Sequence, residues 1–401
     1  MNILVSLVLL VLIAYLGSLI FRKYPIKVRW LKSLVNSGNL YILLGFAIGP
    51  NILNLIDGQI INQLNVLYAL VLGWAGFLIG LQTSLKNLKR FRKLYYYFAT
   101  TNFVSAFCLS SVLLIIVFHF LPLEYKNIEI VILAIASAVS SPIMLGIILR
   151  DYRVHGKVSH LLQFVSGFDN ILGVIILGLI MAGISDLRLF NGISLGIFII
   201  VIPLLLGSIA AYLYYILAKE FKSDQENFLL LISLLIFIIG IAFYLNQSLL
   251  FTAFVFGMGL SNLPIKTKKL FINIQQVEKP LYIMLLIFVG FSLNYLTHYF
   301  LLFLFMFLAI HFVIVLFSGY VSNKIISNRL ELDNKIGLAN LGMGGVSLAI
   351  ILDFHLTNPS DFSILLIFVL AVSIVIFDII TFKYLEDHLI KKSIKQGNQI
   401  G

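Results

Sequence analysis

Charged side chains are scarce in this chain of 401 residues, because Asp, Glu, Lys and Arg together make up only 11% of it. Soluble domains carry roughly twice that fraction. Apolar residues supply 61% of the sequence, and the mean hydropathy is +1.05. This composition excludes a disordered chain and a water-soluble enzyme of a common class. It favours a protein that crosses a membrane several times.

Cysteine is nearly absent, since Cys108 is the only one in the sequence. A single cysteine excludes an intramolecular disulfide, and its apolar surroundings favour a small packed residue. The sequence also lacks a glycine-rich phosphate loop, a cluster of metal ligands and a nucleophile triad, and its seven histidines are scattered. We therefore expect neither an enzyme nor a cofactor. The net charge of +11 does not indicate nucleic acid, because membrane topology explains it.

Apolar runs of about twenty residues recur along the chain. An α-helix of that length crosses a bilayer, whereas a membrane barrel uses strands of about ten residues with alternating polarity. The predicted fold class is an all-α polytopic membrane protein with thirteen transmembrane helices. We place the helices near residues 1–21, 39–56, 64–84, 95–122, 127–149, 158–183, 191–218, 227–245, 248–262, 280–296, 297–322, 336–354 and 361–382.

The distribution of basic residues tests this number of helices. With the N-terminus outside, the inner segments are residues 22–38, 85–94, 150–157, 219–226, 263–279, 323–335 and those after 382. They hold 26 of the 28 Lys and Arg residues, and only Lys126 and Arg188 fall outside them. Cytoplasmic loops carry such an excess. We expect one transmembrane domain over 1–401, N-terminus out and C-terminus in, without a soluble regulatory domain.

Charge inside the predicted spans is confined to two acids. Of the 17 acidic residues, 15 fall in loops or at helix ends, which leaves Asp169 and Asp378. A charge near the bilayer centre costs at least about 2.5–3.5 kcal/mol, so it needs a partner or a task. Asp169 lies about 18 Å into the membrane from Lys157 and is the main candidate for an ion or proton site; a structural acid held by Ser or Asn is the alternative. Asp378 is a weaker candidate, because it could reach the interface near Lys383 or pair with a basic residue.

Two predicted spans carry helix-breaking residues at their centres. In the fifth span, a proline removes a backbone donor and clashes with the preceding turn, next to Ser140 and Ser141. The twelfth span contains a glycine-rich run with poor helix propensity. The predicted breaking elements are Pro142, Gly342, Gly344 and Gly345. Two interrupted helices in inverted orientation indicate the central site of a transporter, although a proline kink or a glycine packing face explains either feature alone.

Six short segments carry a resemblance to a known superfamily. They are NLYILLGFAIGP at 39–50, GFLIGLQTSLKNLKR at 76–90, SAVSSP at 137–142, AFVFGMGLSN at 253–262, FVGFSLN at 288–294 and GMGGVSLA at 342–349. In this order they resemble the monovalent cation:proton antiporter superfamily, closest to its bacterial Kef-like and sodium/proton branch. The resemblance covers nearly the whole chain. It implies inverted repeats, two crossed broken helices and a homodimer.

The superfamily's main site is an Asp-Asp or Asn-Asp pair in the sixth helix, and FDNILG at 168–173 is similar to it. The resemblance puts Asn170 where the essential carboxylate usually stands and Asp169 where its variable partner stands. Two further departures are Gln82, where an acid is usual, and Met343, where an arginine often precedes the glycine. In the eleventh helix the usual Lys or Arg is replaced by His311, which is either a charge partner or a packing residue.

The resemblance implies exchange of a monovalent cation, Na⁺ or K⁺, for protons by alternating access. We expect the cation at Asp169, with Ser140, Ser141 and Asn170 nearby. Because one acid carries one proton, the cycle is predicted to be electroneutral unless His311 also titrates. Two alternatives stay open: a transport-inactive sensor or scaffold, and a sodium-coupled organic anion carrier. The high Ile, Lys and Asn content favours a prokaryotic plasma membrane.

Overall fold

Regular structure in this chain is helical throughout the part that the computed structural model describes. That part comprises residues 38–50, 52–53, 64–120, 125–142, 145–146, 149, 156–184, 196–221, 223–264, 268–293, 300–326 and 336–387. Its helices are α1 (Leu40–Ile48), α2 (Asn65–Gln82), α3 (Leu85–Leu88), α4 (Lys93–Phe120), α5 (Asn127–Ala138), α6 (Lys157–Ile184), α7 (Gly196–Leu217), α8 (Asp224–Tyr244), α9 (Leu249–Asn262), α10 (Lys268–Ser292), α11 (Phe300–Ile326), a 3₁₀ helix (Ile336–Asn340), α12 (Gly345–Thr357) and α13 (Asp361–Leu385).

Seven of these helices are long and apolar enough to cross a membrane, and four apolar stretches are shorter. The all-helical fold class is confirmed, whereas the orientation stays a prediction. The predicted span 1–21 lies outside the described residues. The predicted start of the tenth helix at 280 is wrong, because α10 begins at Lys268 and carries Pro280 inside it. The polar sequence before Pro280 has the composition of a loop, and a proline is typical of a helix start.

The helices pack in two groups. The scaffold group consists of α1, α2 and α7 to α10, in which α2 packs along α9, α10 along α1 and α7 along α9. The site group consists of α4 to α6, α11 to α13 and the 3₁₀ helix, in which α4 packs on α11 and α5, and α12 on α5. Contacts between the groups run mainly from α6, α12 and α13 to α2, α7, α9 and α10.

Glycines allow the scaffold helices α2 and α9 to touch backbone to backbone. A methyl group on Gly76 would come within 2.1 Å of the Leu250 carbonyl oxygen, and one on Gly80 within 2.1 Å of the Phe254 carbonyl oxygen. Small residues permit such close approach of helices in membranes. These two glycines belong to the segment 76–90 that carries the sequence resemblance, so part of that resemblance reflects helix packing.

Both predicted helix interruptions are present, and they cross in the site group. Helix α5 ends at Ala138 and is followed by extended backbone, while α12 begins at Gly345 after an extended stretch. The backbone N–H of Ser141 donates to the carbonyl oxygen of Gly342 at 2.8 Å. A residue before proline is held away from helical geometry, which explains the extended backbone before Pro142. The crossing places backbone groups that no helix uses beside α6.

Candidate functional site

Asp169 lies on α6 beside the crossing of the two interrupted helices and has no exposed surface. The hydroxyl of Ser140 donates to its Oδ2 atom at 3.2 Å, and the side chain of Asn102 on α4 also interacts with the carboxylate. The Oδ1 atom accepts no hydrogen bond from the described residues. Within that same part of the chain no charged side chain acts on Asp169. A buried carboxylate without a cationic partner is costly unless a ligand or a proton compensates it.

Two buried amide side chains belong to this region, Asn102, which interacts with the carboxylate, and Asn170, the next residue of α6. Asn170 is 4% exposed and Asn102 is 4% exposed, and the Oδ1 atom of each is buried without a hydrogen-bond donor in the described part. Asn170 was predicted from the sequence, whereas Asn102 was missed. Asn102 belongs to α4, a long apolar helix that also contains several Ser and Thr residues, so the sequence gives no signal of which polar side chain faces α6.

The other residues predicted for the site belong to the two helix interruptions. Ser141 lies against the other interruption, because a methyl group on Gly344 would come within 3.0 Å of the Ser141 Oγ atom. The hydroxyl of Ser347 donates to the Val139 carbonyl oxygen at 3.4 Å. Gly345 starts α12 and packs so tightly that a side chain there would meet the ring of Tyr282. Pro142 is helical again, directly after the extended stretch. Ser140 therefore contacts the acid, while Ser141 joins the two interruptions.

His311 contacts a backbone carbonyl group and not the acid that it was proposed to balance. Its Nε2 atom lies 3.2 Å from the carbonyl oxygen of Leu341, so this nitrogen carries the proton. The ring is 1% exposed and packs against Phe307 and Phe377, with centroid distances of 6.0 and 4.7 Å. In this conformation His311 holds the carbonyl that precedes the glycine run, and it makes no hydrogen bond to Asp169.

Asp378 forms a separate polar contact on α13. It is fully buried inside the protein. The side-chain amide of Asn39 donates to its Oδ2 atom, and its Oδ1 atom lies 3.2 Å from the position of a methyl group on Gly342. Asp378 thus connects the start of α1 to the interruption before α12. It does not hydrogen-bond to Asp169.

One face of α6 leads from exposed surface to the site. Residues three or four positions apart share a helix face, and here they are His160, Gln163, Gly167, Asn170 and Val174. The first two side chains are exposed, Gly167 is half-buried, Asn170 is 4% exposed and Val174 is 0% exposed. A methyl group on Gly167 would find no heavy atom of the described residues within 4 Å. Within the described residues this face is therefore open at Gly167 and becomes buried at Asn170, the neighbour of Asp169.

The other half of α6 is closed. A methyl group on Gly178, which continues the same face, would come within 2.2 Å of the Phe251 ring on α9. A methyl group on Gly173 would come within 2.5 Å of Val139. The half of α6 beyond Asn170 is therefore packed against Val139 of the site group and against Phe251 of the scaffold group, whereas the half that begins at Lys157 is less tightly packed within the described residues.

This arrangement of a buried carboxylate at crossed interruptions can be compared with known proteins. The sequence matches the family described as sodium/hydrogen exchanger, transmembrane, over residues 8–386. The chain belongs to the sodium/hydrogen exchanger family. It is therefore a multi-pass membrane transporter with cation and proton substrates, and not an enzyme. The search among curated proteins found no match for this exchanger.

Two solved structures of the sodium proton antiporter MjNhaP1 from Methanocaldococcus jannaschii share the fold of this exchanger. The structure at pH 8 has a TM-score of 0.71 at 17% sequence identity, covering 98% of this chain and 99% of that one. The electron-microscopy map has a TM-score of 0.65 at 17% identity, covering 99% of both chains. The superfamily inferred from six segments is confirmed, while its Kef-like branch stays a prediction.

Proposed function

We propose that this exchanger swaps one monovalent cation, Na⁺ or K⁺, for one proton at Asp169. The observation that supports the proposal is the buried carboxylate with an oxygen that accepts no hydrogen bond from the described residues. The side chain of Asn102 interacts with this carboxylate, Asn170 is the next residue of α6, and the amide oxygen of each is buried without a donor among the described residues. Oxygen atoms around one negative charge suit a small cation, and interrupted helices at a carboxylate are typical of such sites.

Competition for one carboxylate couples the two substrates. Ionised Asp169 can bind a cation, whereas protonated Asp169 is neutral and has lost an acceptor. Asn170 supplies an oxygen but cannot titrate. His311 donates to a backbone carbonyl and makes no hydrogen bond to the acid. A single titrating group exchanges one charge for one charge, so the proposed cycle is electroneutral.

Movement between the two helix groups would give alternating access. The face of α6 is open on the Gly167 side and sealed on the Gly178 side, where α9 of the scaffold group packs against it. A shift of the site group along the scaffold group would exchange the open and sealed halves. With the predicted orientation, the open side is cytoplasmic. We place this single exchanger domain in a plasma membrane, as a homodimer.

The test uses purified protein in liposomes that contain a pH-sensitive dye. Addition of Na⁺ or K⁺ should release protons from the carboxylate and move the dye signal, and Asp169→Asn should reduce the signal at least about 100-fold, because an amide cannot exchange a proton. The matched control is Glu129→Gln, which changes another buried carboxyl of the site group that accepts from Ser360. The control should retain exchange.

Three outcomes would contradict the proposal. An equal signal from wild type and Asp169→Asn would remove the carboxylate from the mechanism. A rate that changes with an imposed membrane potential would exclude the electroneutral cycle. A folded wild type in which no cation moves protons would favour the transport-inactive sensor, and a signal that requires an organic anion would favour the anion carrier.

A further inference from the structure

Another fully buried acid, Asp353, forms hydrogen bonds between the two helix groups. In the sequence Asp353 lies at the end of a predicted span, but α12 continues to Thr357 and Asp353 is 0% exposed. The hydroxyl of Ser248 donates to its Oδ2 atom at 2.5 Å, and the backbone N–H of Leu249 donates to Oδ1 at 2.9 Å. The N–H of Leu250 is a third donor.

These donors belong to the first turn of α9. Ser248 is 1% exposed and Leu249 is 0% exposed, so α9 begins inside the protein, where water cannot satisfy its first N–H groups. Ser248 also accepts from the N–H of Phe251 at 3.0 Å, as an N-cap residue does. The carboxylate of α12 therefore supplies acceptors that the start of α9 would otherwise lack.

The bond joins elements that alternating access requires to move apart. Helix α12 belongs to the site group and carries the glycine interruption that lies beside Asp169, whereas α9 belongs to the scaffold group and carries Phe251, which seals α6. We propose that Asp353 is a latch that holds the site group in the conformation open at Gly167 and that must release α9 before the site opens on the other side. The inference rests on the proposed exchange function.

A purely structural role is the competing explanation, and the chain offers a matched pair to separate the two. Glu129 on α5 is 2% exposed and accepts from the Ser360 hydroxyl at the start of α13. Both of these helices belong to the site group, so their bond does not span the moving boundary. Loss of either carboxyl removes a buried hydrogen-bonded acid, but only loss of Asp353 should change the conformational equilibrium.

The experiment measures how fast a cysteine at position 167 reacts with a membrane-impermeant thiol reagent. The full chain carries Cys108→Ser, because Cys108 is exposed, together with Gly167→Cys. Asp353→Ala and Ser248→Ala should each slow the reaction about threefold or more, as the open conformation loses population. The double variant should add little to Asp353→Ala, because both changes remove the same bond. Glu129→Gln should leave the rate unchanged.

An unchanged rate in folded Asp353→Ala and Ser248→Ala, or an equal fall in Glu129→Gln, would overturn the latch. If Asp353→Ala does not fold, Asp353→Asn takes its place with a smaller expected fall. Spin labels at Val66 on α2 and Val112 on α4 give a second readout, since both side chains are exposed and belong to different helix groups. The Asp353 and Ser248 variants should show a new population of distances between the two labels. An unchanged distance distribution would overturn the proposal. Neither readout needs transport, so a latch can be confirmed even if no exchange is found.

Discussion

Asp169 and Asp353 are both carboxylates without exposed surface, yet their surroundings differ. Asp353 accepts from a hydroxyl and two backbone N–H groups at the start of α9. Asp169 accepts from Ser140 at the longer distance of 3.2 Å, interacts with the side chain of Asn102, and keeps one oxygen without a donor in the described part of the chain. A satisfied buried acid stabilises a structure, whereas an unsatisfied one is ready for a ligand. This difference in hydrogen bonding agrees with the proposed latch role of Asp353 and the proposed ion-binding role of Asp169.

The largest effect that tests this comparison is on stability. Asp353→Asn replaces one acceptor by a donor and should lower the free energy of unfolding by about 2 kcal/mol, because a buried N–H or hydroxyl loses its partner. Asp169→Asn removes an uncompensated buried charge and should leave stability unchanged or raise it. Thermal unfolding in detergent measures both. Equal falls in melting temperature would mean that the two acids have the same role.

Most residues of the candidate site could be predicted from the sequence because their signals are local. An acid far from any interface, a proline in one apolar run and a glycine run in another each stand out within a few residues. Ser140, Asp169 and the glycines at 342 and 344 are then brought together by packing, as the resemblance implies. The predicted helices also agree with the structure where apolar runs are long, because length and hydropathy define a span.

Asn102 and Asp353 could not be found in this way. Asn102 lies in a helix with polar residues on several sides, so its contact with Asp169 depends on the rotation of α4. The partner of Asp353, Ser248, is 105 residues away in sequence. In the sequence alone, Asp353 stands at the end of an apolar run, where an acid at the membrane interface would also stand. The early start of α10 was missed for a related reason, since a polar helix before Pro280 has no hydropathic signal.

A smaller effect tests the access route along α6. Gly167→Leu should fill the space beside the site and lower the exchange rate about tenfold, equivalent to about 1.4 kcal/mol in the barrier. Gly183→Leu is the control, because it makes the same change in the same helix at another position where a methyl group meets no atom within 4 Å. Liposome exchange and the melting temperature are measured for both. Equal rates in the two variants would exclude a route past Gly167.

The smallest expected effect concerns Asn102, the residue that connects α4 to the site. Asn102→Ala removes one amide beside Asp169 and should weaken the apparent cation affinity about fivefold, which corresponds to roughly 1 kcal/mol for one hydrogen-bonding group. Ser110→Ala is the control, because Ser110 is a buried polar residue of the same helix whose hydrogen bonds, among the described residues, go to the carbonyl oxygens of Phe107 and Ala134. Cation titrations of proton release compare the variants. A change in maximal rate without a change in cation affinity would give Asn102 a structural role in the site. A change in cation affinity alone would make Asn102 a cation ligand or the residue that orients the carboxylate.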